Sequence, residues 1–501
     1  MSSAQPHFLI IGGGITGLSA AYYLKKRLES DGVKGRITIV EKSSAFGGKI
    51  HTLYKEGFVI EKGPDSVLAR KRPTIDLAYE LGLEGELTSQ NPQAKKTFIV
   101  RKGKLYRMPQ GLVLGIPTQM TPFMQTGLIS PLGKARAALD LIKPKRKGVS
   151  DESLGHFLQR RLGKEVLDRV VEPLLAGIYA GDTFKLSLKA TFPQFQAMEQ
   201  KHRSLILGMM ASRKNATGET AHLPAAVRNS AFVTFKKGLQ TLVHGLVHAL
   251  KGEDLRTNTG VASVNKAADG LVEVVFEDGS REVVDGVIIT TPTYQSAELL
   301  SHLPAAASLK QIDYISVANV IMAFDRKDVP IDLDASGFLV PRYEDRTITA
   351  CTLTSAKWLH TAPSDKVVLR CYIGRSGQQE WLQWSDEQLV QKARHDLGEL
   401  LGVKAEPLFT EVTRLPKSMP QYPVGHLEQV ARFRQQLADA LPGVLVTGSG
   451  FHGVGIPDCI QQGKDAAVQL AEQFKQRGAV AGASVGAGTG AGAGVAPASV
   501  G

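Results

Sequence analysis

A glycine-rich junction near the start of the chain constrains its fold more than any other feature. The apolar run 8–11 predicts a buried parallel strand, and the residues after it predict a helix. In a G-x-G-x-x-G pattern the first glycine makes a tight turn, the second lets backbone amides approach a pyrophosphate, and the third lets helix and strand pack closely. The helix N-terminus then favours a bound phosphate. We therefore predict a dinucleotide site at Gly12, Gly13, Gly14, Ile15, Thr16 and Gly17.

A second strand and an acidic residue support this site. The run 36–40 has strand composition and ends at Glu41, where a carboxylate binds the ribose hydroxyls in dinucleotide-binding folds. A second glycine pair follows at 47 and 48, which a nicotinamide dehydrogenase does not need. This segment resembles the flavin-binding motif of the amine oxidase-like flavoprotein superfamily, in which the backbone passes close to the flavin's phosphate and ribityl chain. It adds Lys42, Gly48 and Lys49 to the predicted cofactor residues.

A matching stretch lies more than 400 residues later. Residues 444–456 resemble the strand, glycine turn and helix that lie beside the flavin ring in that superfamily. The two halves together predict FAD. Because Cys459 follows the late motif instead of lying inside it, we expect the FAD to be bound non-covalently. The resemblance further implies cofactor contacts from Gly63, Pro64, Asp65, Ser66, Val261 (through its backbone to the adenine), Ser449, Val454, Gly455 and Ile456.

Length and composition are those of an ordinary globular protein. With 501 residues, 43% of them hydrophobic, the chain can form two or three domains. The three cysteines have no C-x-x-C spacing, which argues against a disulfide framework or a zinc site and fits a reducing cytoplasm. Residues 1–7 are too short and too polar for a signal peptide. We therefore expect a cytoplasmic location and no metal site.

The net charge of +12 is concentrated in one segment. Residues 95–148 contain twelve basic side chains and one acid, Asp140, so this segment alone carries +11. Its middle, 108–133, is uncharged and apolar, and four prolines exclude a continuous transmembrane helix there. The pattern predicts either a peripheral membrane surface at the inner face of the cell membrane or a substrate-entrance loop with a solvated basic rim, and both stay open. Without a binding motif or an aromatic platform we expect no nucleic acid partner.

The order of the predicted elements indicates an α/β fold with a Rossmann-like FAD-binding domain, an α+β substrate domain and a mainly helical inserted domain. We expect helices over 73–90, 153–180 and 238–250, a hairpin at 97–106, and a long strand at 281–290. The end of this strand, 285–292, resembles the superfamily's return into the parallel sheet. The uncharged glycine- and alanine-rich end is predicted to be a flexible tail. The predicted domains are FAD-binding (6–72, 230–297 and 432–476), substrate-binding (73–90, 216–229 and 298–431), helical and potentially membrane-associating (91–215), and the tail (478–501).

Three further segments narrow the superfamily. Residues 63–71, 172–182 and 419–426 resemble the protoporphyrinogen/coproporphyrinogen oxidases, and the similarity extends over about 8–474. Segments 337–341 and 349–352 look like the soluble type of Gram-positive bacteria, which is thought to act on coproporphyrinogen III. The resemblance implies a six-electron oxidation in three hydride-transfer rounds, each followed by reoxidation of the flavin with O2 to give hydrogen peroxide. It leaves open whether the porphyrin passes directly to a ferrochelatase.

The same resemblance suggests residues for the substrate. Coproporphyrinogen has four propionates and protoporphyrinogen two, so the former needs more cations, and we expect Lys71 and then Arg70 to provide them. A solvated pair at a helix start is the alternative. Gly177 and Ile178 match the family segment that lines the cavity near the flavin, although Gly177 is also explained by helix termination. We name no general base, because packing or hydrogen bonding explains His426 and His452 as well.

Other functions stay open at this point. The substrate could be protoporphyrinogen IX, or an amine, although an amine oxidase favours an aromatic cage and the late motif offers Phe451 and His452 without a pair of tyrosines. A carotenoid desaturase would not explain segment 172–182. A flavin-free binding protein of the Rab-escort type is the non-enzymatic alternative, and the intact glycine motifs argue against it.

Overall fold

The computed structural model describes residues 5–215, 223–224, 227–228 and 230–487. The last helix, Ile456–Ala487, extends beyond residue 478, at which we placed the start of the tail. The alanines of this stretch have a high helix propensity, which the composition argument did not consider. Residues 488–501, the rest of the predicted tail, lie outside the described residues. So does most of the segment 216–229, which we assigned to the substrate-binding domain.

A five-stranded parallel sheet forms the core of the cofactor-binding half. His7–Ile11 pairs in parallel with Arg36–Val40 on one side and with Gly286–Ile289 on the other. These strands are apolar on both faces, as expected for a sheet that helices and a second sheet cover. The Rossmann-like sheet that the glycine motif predicted is therefore confirmed. The strand order is Asp254–Arg256, Arg36–Val40, His7–Ile11, Gly286–Ile289 and Val444–Val446.

Helices from the two ends of the chain cover one face of this sheet. Ile15–Ser30 packs along Ile456–Ala487, and Gln240–Ala249 joins the same apolar core. The close approach depends on Gly463, because a Cβ atom there would lie 2.5 Å from the Thr16 carbonyl oxygen. The early and the late glycine motif are therefore neighbours in space.

The predicted long strand 281–290 is in fact two strands in different sheets. Arg281–Val284 belongs to an antiparallel sheet with Val261–Lys266 and Val272–Phe276, whereas Gly286–Ile289 enters the parallel sheet. Between them, the Asp285 amide donates to the His7 carbonyl oxygen at 2.7 Å. Both halves are rich in β-branched residues, so composition gave no sign of the change of sheet.

A seven-stranded sheet forms the second half of the molecule. It contains the hairpin Lys96–Arg101 and Lys104–Arg107, which we assigned to the helical domain 91–215. This hairpin pairs in parallel with Ala335–Leu339, a contact that no local pattern signals. The helix Asp386–Leu401, which begins with a capping box at Ser385, packs on one face of the sheet. The strand order is Phe409–Pro420, Tyr314–Asp325, Lys366–Ile373, Ile348–Leu353, Ala335–Leu339, Lys96–Arg101 and Lys104–Arg107.

Short helices form a third layer with its own apolar core. The predicted helix 153–180 is interrupted at Gly163, which adopts a φ of +89°. Inside this layer the fully buried Arg161 pairs with Asp140 and with Glu199. The helices are Met120–Gln125, Pro131–Ala138, Leu154–Leu162, Lys164–Val166, Leu167–Val171 (a π-helix), Glu172–Tyr179, Leu188–Thr191, Pro193–His202 and Leu205–Asn215.

The predicted helix 73–90 is too long. The helix Arg72–Glu80 ends before Gly82, whose φ is +68°. Leu87–Ser89 then forms an edge strand of a small sheet whose central strand, Phe232–Phe235, also pairs with Val67–Leu68. In the described part of the chain, no helix combines the length and the apolar character needed to cross a membrane. Further described elements are the strands Thr52–Lys55, Phe58–Glu61, Leu112–Val113 and Ile116–Pro117, the helices Thr293–Leu299, Thr354–Lys357 and His426–Ala440, and the 3-10 helices Glu84–Glu86, Leu139–Leu141, Ala268–Gly270, Pro304–Gln311, Arg326–Asp328, Arg342–Glu344, Leu359–Thr361 and Glu380–Gln383.

Candidate active site

The first glycine turn leaves an open cradle with free amide donors. Gly12 has a φ of +107°, and a Cβ atom on Gly17 would lie 1.9 Å from the Gly12 carbonyl oxygen, so both positions require glycine. A Cβ atom on Gly14 would meet nothing within 4 Å, which leaves the space above the turn open. The amides of Thr16 and Gly17 donate to no acceptor among the described residues, and no side chain caps the helix. This arrangement fits an anionic group such as a phosphate.

Glu41 lies beside this cradle at the end of the second strand. Its carboxylate accepts hydrogen bonds from the Gly13 amide and from the Ser43 amide, both at 2.8 Å. The Thr259 amide donates to the Glu41 carbonyl oxygen, which places the start of the Val261 strand next to Glu41. Lys42 points outward and pairs with Glu277 at 2.8 Å. The structure thus brings Glu41 and Val261 together, as an adenosine site needs, and leaves Lys42 in a surface ion pair.

The second glycine pair packs directly on the first turn. The Gly47 amide donates to the Gly13 carbonyl oxygen at 2.9 Å, and a Cβ atom on Gly48 would lie 3.3 Å from the Gly14 Cα atom. Lys49 follows and donates from its ammonium to the Ser418 carbonyl oxygen. A Cβ atom on Gly63 would lie 1.8 Å from the Lys49 carbonyl oxygen, so Gly63 is fixed by a close backbone approach.

A buried charge cluster supports the segment Gly63, Pro64, Asp65 and Ser66. Burial alone would raise the pKa of the Asp65 carboxyl, but Lys357 and Arg370 beside it lower that pKa to about 2. The Ser66 hydroxyl donates to Asp65 at 2.7 Å, and Arg370 donates to the Gly63 carbonyl oxygen. Sequence reasoning missed Lys357 and Arg370, because they come about 300 residues later and belong to no glycine motif.

Glu61 is a second acid that the sequence analysis missed. It lines a cavity of about 20 Å³ together with Asp65, Trp358 and Arg370. Burial raises the pKa of Glu61 to about 7, although it accepts hydrogen bonds from the Leu239 amide and the Thr52 hydroxyl. A cavity of this size has room for one water molecule. Glu61 lies on the face of its strand opposite the buried Phe58 and Ile60, so the alternation of the strand gave no signal for it.

The late motif presents a second set of free amides. Gly448 turns the chain after the strand Val444–Val446 with a φ of +116° and lies beside Thr16. The amides of Ser449, Val454 and Gly455 donate to no described acceptor, and the helix that begins at Ile456 follows them. Cys459 is buried and free of any disulfide, and burial raises its pKa to about 11, so its thiolate is disfavoured.

The predicted substrate residues lie at this same end of the sheet. The Lys71 ammonium is 2.7 Å from both carboxylate oxygens of Asp458, two residues beyond the start of the last helix. Arg70 is exposed, and it has no hydrogen bond or ion pair within the described residues. A Cβ atom on Gly177 would meet nothing within 4 Å, and Ile178 is partly exposed beside it. The structure therefore places Lys71 at the start of the last helix and leaves the space at Gly177 open.

The aromatic residue after Ile178 joins this segment to the late motif. Tyr179 makes an edge contact with Tyr422 at a ring separation of 6.0 Å, and Tyr422 hydrogen-bonds the Ser449 carbonyl oxygen. His426 stacks on Tyr422 and contacts the Phe451 carbonyl oxygen at 3.0 Å. Burial lowers the pKa of His426 to about 4, which fits the packing and hydrogen-bonding role that we considered for it.

Many cations of the basic segment make internal contacts. Arg136 donates to the carbonyl oxygens of Gln159, Arg160 and Arg161 at the end of a helix, and Lys143 donates to Arg160 as well. Cations at a helix C-terminus stabilise it. Lys147, in contrast, is exposed and makes no hydrogen bond or ion pair within the described residues.

Comparison with known proteins agrees with this geometry. Residues 15–471 match the family model described as flavin containing amine oxidoreductase. The chain is 44% identical to the coproporphyrinogen III oxidase of Bacillus subtilis (strain 168), over 93% of this chain and 98% of that protein. It is 42% identical to the Staphylococcus aureus (strain NCTC 8325 / PS 47) protein of the same name, over 92% and 98%. A solved structure from Exiguobacterium sp. 255-15, provisionally named a protoporphyrinogen oxidase, superposes with a TM-score of 0.82 at 36% identity, over 94% and 99%.

Relatives named protoporphyrinogen oxidase are more distant. The chloroplastic protein of Nicotiana tabacum is 28% identical and the Homo sapiens protein 30% identical to this chain. The family model spans most of the chain. The two coproporphyrinogen III oxidases match this chain over nearly all of their own length. The resemblance inferred from the motifs is thereby confirmed. The chain belongs to the flavin containing amine oxidoreductase family, which makes it an oxidoreductase with a flavin cofactor.

Proposed function

We propose that this chain oxidises coproporphyrinogen III to coproporphyrin III, with FAD as cofactor and O2 as electron acceptor. The observation that carries the proposal is the near full-length similarity to coproporphyrinogen III oxidases, which exceeds the similarity to protoporphyrinogen oxidases. The reaction removes six electrons in three rounds and yields one hydrogen peroxide per round. Protoporphyrinogen IX is the alternative substrate.

The choice of FAD among flavins depends on the dinucleotide half of the site. The free amides of Thr16 and Gly17 suit a pyrophosphate, and Glu41 beside Val261 suits an adenosine, a group that FMN lacks. The buried Cys459, with its raised pKa, supports non-covalent binding. Acid precipitation is expected to release all of the flavin as FAD. Flavin that stays with the precipitate would contradict non-covalent binding, and FMN in the supernatant would contradict the choice of FAD.

The flavin supplies the hydride acceptor for a saturated carbon, so the chain has to bind and orient the macrocycle. Gly177 leaves room for a flat apolar ring, and Ile178 offers it an apolar contact. Arg70 and Lys71 are the proposed partners of the propionates. Arg70 has no partner within the described residues, so its charge is fully available. Four propionates use these cations better than two, which favours coproporphyrinogen.

The test compares the two porphyrinogens. Porphyrin fluorescence is followed in air with coproporphyrinogen III and, separately, with protoporphyrinogen IX, each corrected for its uncatalysed rate. We expect a kcat/KM at least tenfold higher for coproporphyrinogen III. A preference for protoporphyrinogen IX would support the alternative, and no rate above background from flavin-loaded protein would refute both.

We also propose that part of the basic segment docks on an anionic membrane, with the protein otherwise in the cytoplasm. Two apolar side chains of this segment are strongly exposed, Leu132 (83%) and Ile142 (70%), and so is Val149 (61%) directly after it. Lys147 lies between the last two with its charge free. Apolar side chains that insert at the lipid boundary, next to a cation that attracts anionic headgroups, are typical of a peripheral membrane surface. A membrane position would also suit transfer of the porphyrin to a ferrochelatase, which stays a prediction.

Vesicles that contain phosphatidylglycerol test the docking. A variant with Leu132→Ser, Ile142→Ser and Lys147→Glu keeps the internal bonds of Arg136 and Lys143, so the fold is expected to survive. We expect it to lose co-sedimentation that the parent protein shows. The matched control is Leu359→Ser, an equally exposed leucine (69%) outside the segment. Equal sedimentation of parent and triple variant would leave the entrance-loop interpretation.

A further inference from the structure

We infer that Tyr422 and His426 are positioning residues for the cofactor, because they turn two backbone amides of the late motif toward it. This inference rests on the proposed FAD site. It concerns two peptide groups, Ser449–Gly450 and Phe451–His452. No sequence pattern connects them with the two side chains.

Tyr422 fixes the first peptide. Its ring is fully buried, and its hydroxyl donates to the Ser449 carbonyl oxygen. The Tyr422 backbone is held independently, since its carbonyl oxygen accepts from the Ser187 amide at 2.8 Å. The hydroxyl is therefore a fixed donor, and the Ser449 carbonyl group has to point at it.

His426 fixes the second peptide in the same way. Its ring stacks on Tyr422 at 4.4 Å between centroids, and Nε2 lies 3.0 Å from the Phe451 carbonyl oxygen. A carbonyl oxygen only accepts, so Nε2 carries the proton. Burial lowers the pKa of the imidazole to about 4, so the ring stays neutral at physiological pH and keeps this tautomer.

The orientation of the two amides follows from peptide geometry. The described chain has no cis peptide bonds, and in a trans peptide the N–H points away from the C=O. The Gly450 and His452 amides therefore point away from the Tyr422–His426 pair. Gly450 donates to no described acceptor, and His452 has only a long contact of 3.5 Å to the Gly448 carbonyl oxygen.

The turn that carries these amides lies against the pyrophosphate cradle. A Cβ atom on Gly448 would be 3.7 Å from the Thr16 hydroxyl, at the N-terminus of the first helix. Buried backbone donors normally find an acceptor. The acceptor for Gly450 is therefore an oxygen of the dinucleotide, either in its pyrophosphate or in its ribityl chain.

The experiment measures FAD and ADP binding to apoprotein. Tyr422→Phe removes one hydroxyl and keeps the ring, so we expect FAD to bind about fivefold to tenfold more weakly, the effect of one lost orienting hydrogen bond. His426→Leu is expected to act in the same direction, and His426→Gln, which retains an N–H donor, to restore part of the affinity. If Tyr422→Phe binds ADP more weakly, the acceptor lies in the pyrophosphate. If it binds only FAD more weakly and ADP as before, the acceptor lies in the ribityl chain.

Tyr179→Phe is the matched control, because it removes a hydroxyl from the same aromatic cluster that makes no hydrogen bond within the described residues. A merely structural role of Tyr422 would lower the melting temperatures of apoprotein and holoprotein equally and leave the FAD dissociation constant unchanged, which would overturn the inference. Failure of the parent apoprotein to bind FAD would instead refute the proposed cofactor.

Discussion

The Lys71 ammonium and the Asp458 carboxylate form a symmetric ion pair, with both oxygens 2.7 Å from the nitrogen. The two residues are 387 positions apart, and the pair joins the segment after the first cofactor loops to the start of the last helix. Asp458 also lies against Gly453 and Gly455 of the late motif. The cation that we propose for a propionate is thus already partly neutralised, and the carboxylate next to it sets how much charge it offers.

We expect Lys71→Gln to raise the KM for coproporphyrinogen III about tenfold, because a charged hydrogen bond to a propionate is lost. Asp458→Asn is expected to lower this KM about twofold, because it leaves the lysine charge unneutralised. Steady-state kinetics with flavin-saturated protein measures both. Arg72→Gln, an exposed arginine paired with Asp76, is the control for charge alone. Equal rises in KM for both test variants would mean that the pair acts only by holding the helix.

Gly177→Leu separates catalysis from stability. Leucine has a higher helix propensity than glycine by about 0.8 kcal/mol, and Gly177 lies within the helix Glu172–Tyr179 with open space around it, so the melting temperature should hold or rise. The side chain would occupy the proposed macrocycle space, and we expect kcat/KM to fall at least tenfold with unchanged flavin content. Gly85→Leu, another glycine with no atoms near a Cβ, is the control. Full activity of Gly177→Leu would place the substrate elsewhere.

Glu61 is expected to make stability depend on pH. Its pKa rises from 4.5 to about 7 on folding, so between these values the unfolded chain loses a proton that the folded chain keeps. The contribution of Glu61 to the free energy of unfolding therefore falls by up to about 3 kcal/mol as the pH rises from 4.5 to 7, and stays lower above it. Two neighbours in the same cavity are charged or titratable as well. Asp65 has a pKa of about 2 and stays ionised through this window. Burial lowers the pKa of His360 from 6.5 to about 4 on folding, so its contribution to stability rises between pH 4 and pH 6.5 and opposes that of Glu61.

Chemical denaturation of the parent and of Glu61→Gln at several pH values measures this effect. The free energy of unfolding of Glu61→Gln should rise relative to that of the parent between pH 5 and pH 7.5. Thr52→Val, which removes one donor to Glu61 and adds no titrating group, is the control. Parallel pH profiles of parent and Glu61→Gln would show that Glu61 is ionised throughout.

Arg136→Met tests whether the basic segment has a structural role. The loss of the donors to three carbonyl oxygens at the end of the helix Leu154–Leu162 is expected to cost about 2 kcal/mol in the free energy of unfolding. Lys147→Met removes an equal charge that makes no hydrogen bond or ion pair within the described residues, and we expect no measurable change. Equal stabilities of the two variants would assign the whole segment to external partners.

The local motifs of the site could be predicted from the sequence because short stretches determine them. The turn at Gly12, the carboxylate of Glu41 and the glycines at 47 and 48 each depend on neighbours within a few residues. The residues that hold these motifs in place could not be predicted in this way. Lys357 and Arg370 reach the site from a distant helix and a distant strand, and nothing in their own surroundings marks them. Asp458 directly follows the late motif, but nothing local indicates that its partner is Lys71.

The fold shows the same division. The strands around the first glycine turn and the hairpin at Lys102 have the expected bounds within one or two residues. The assignment of that hairpin to a helical domain failed, because its partner strand Ala335–Leu339 lies far away in the sequence. The resemblance correctly indicated that the end of segment 281–290 returns to the parallel sheet. The division into two strands at Asp285 was missed for a related reason, because pairing partners, and not composition, decide it.

The proximity of the early and late glycine motifs has a consequence for synthesis of the protein. The strand Val444–Val446 and the turn at Gly448 complete the cofactor-binding sheet, so a nascent chain still attached at residue 440 lacks one wall of the site. The ribosome must therefore release nearly the whole polypeptide before the prosthetic group can be captured. We therefore expect maturation into the flavin-bound protein to be post-translational, so that the supply of free flavin in the cell decides how long the newly made chain keeps an open cleft.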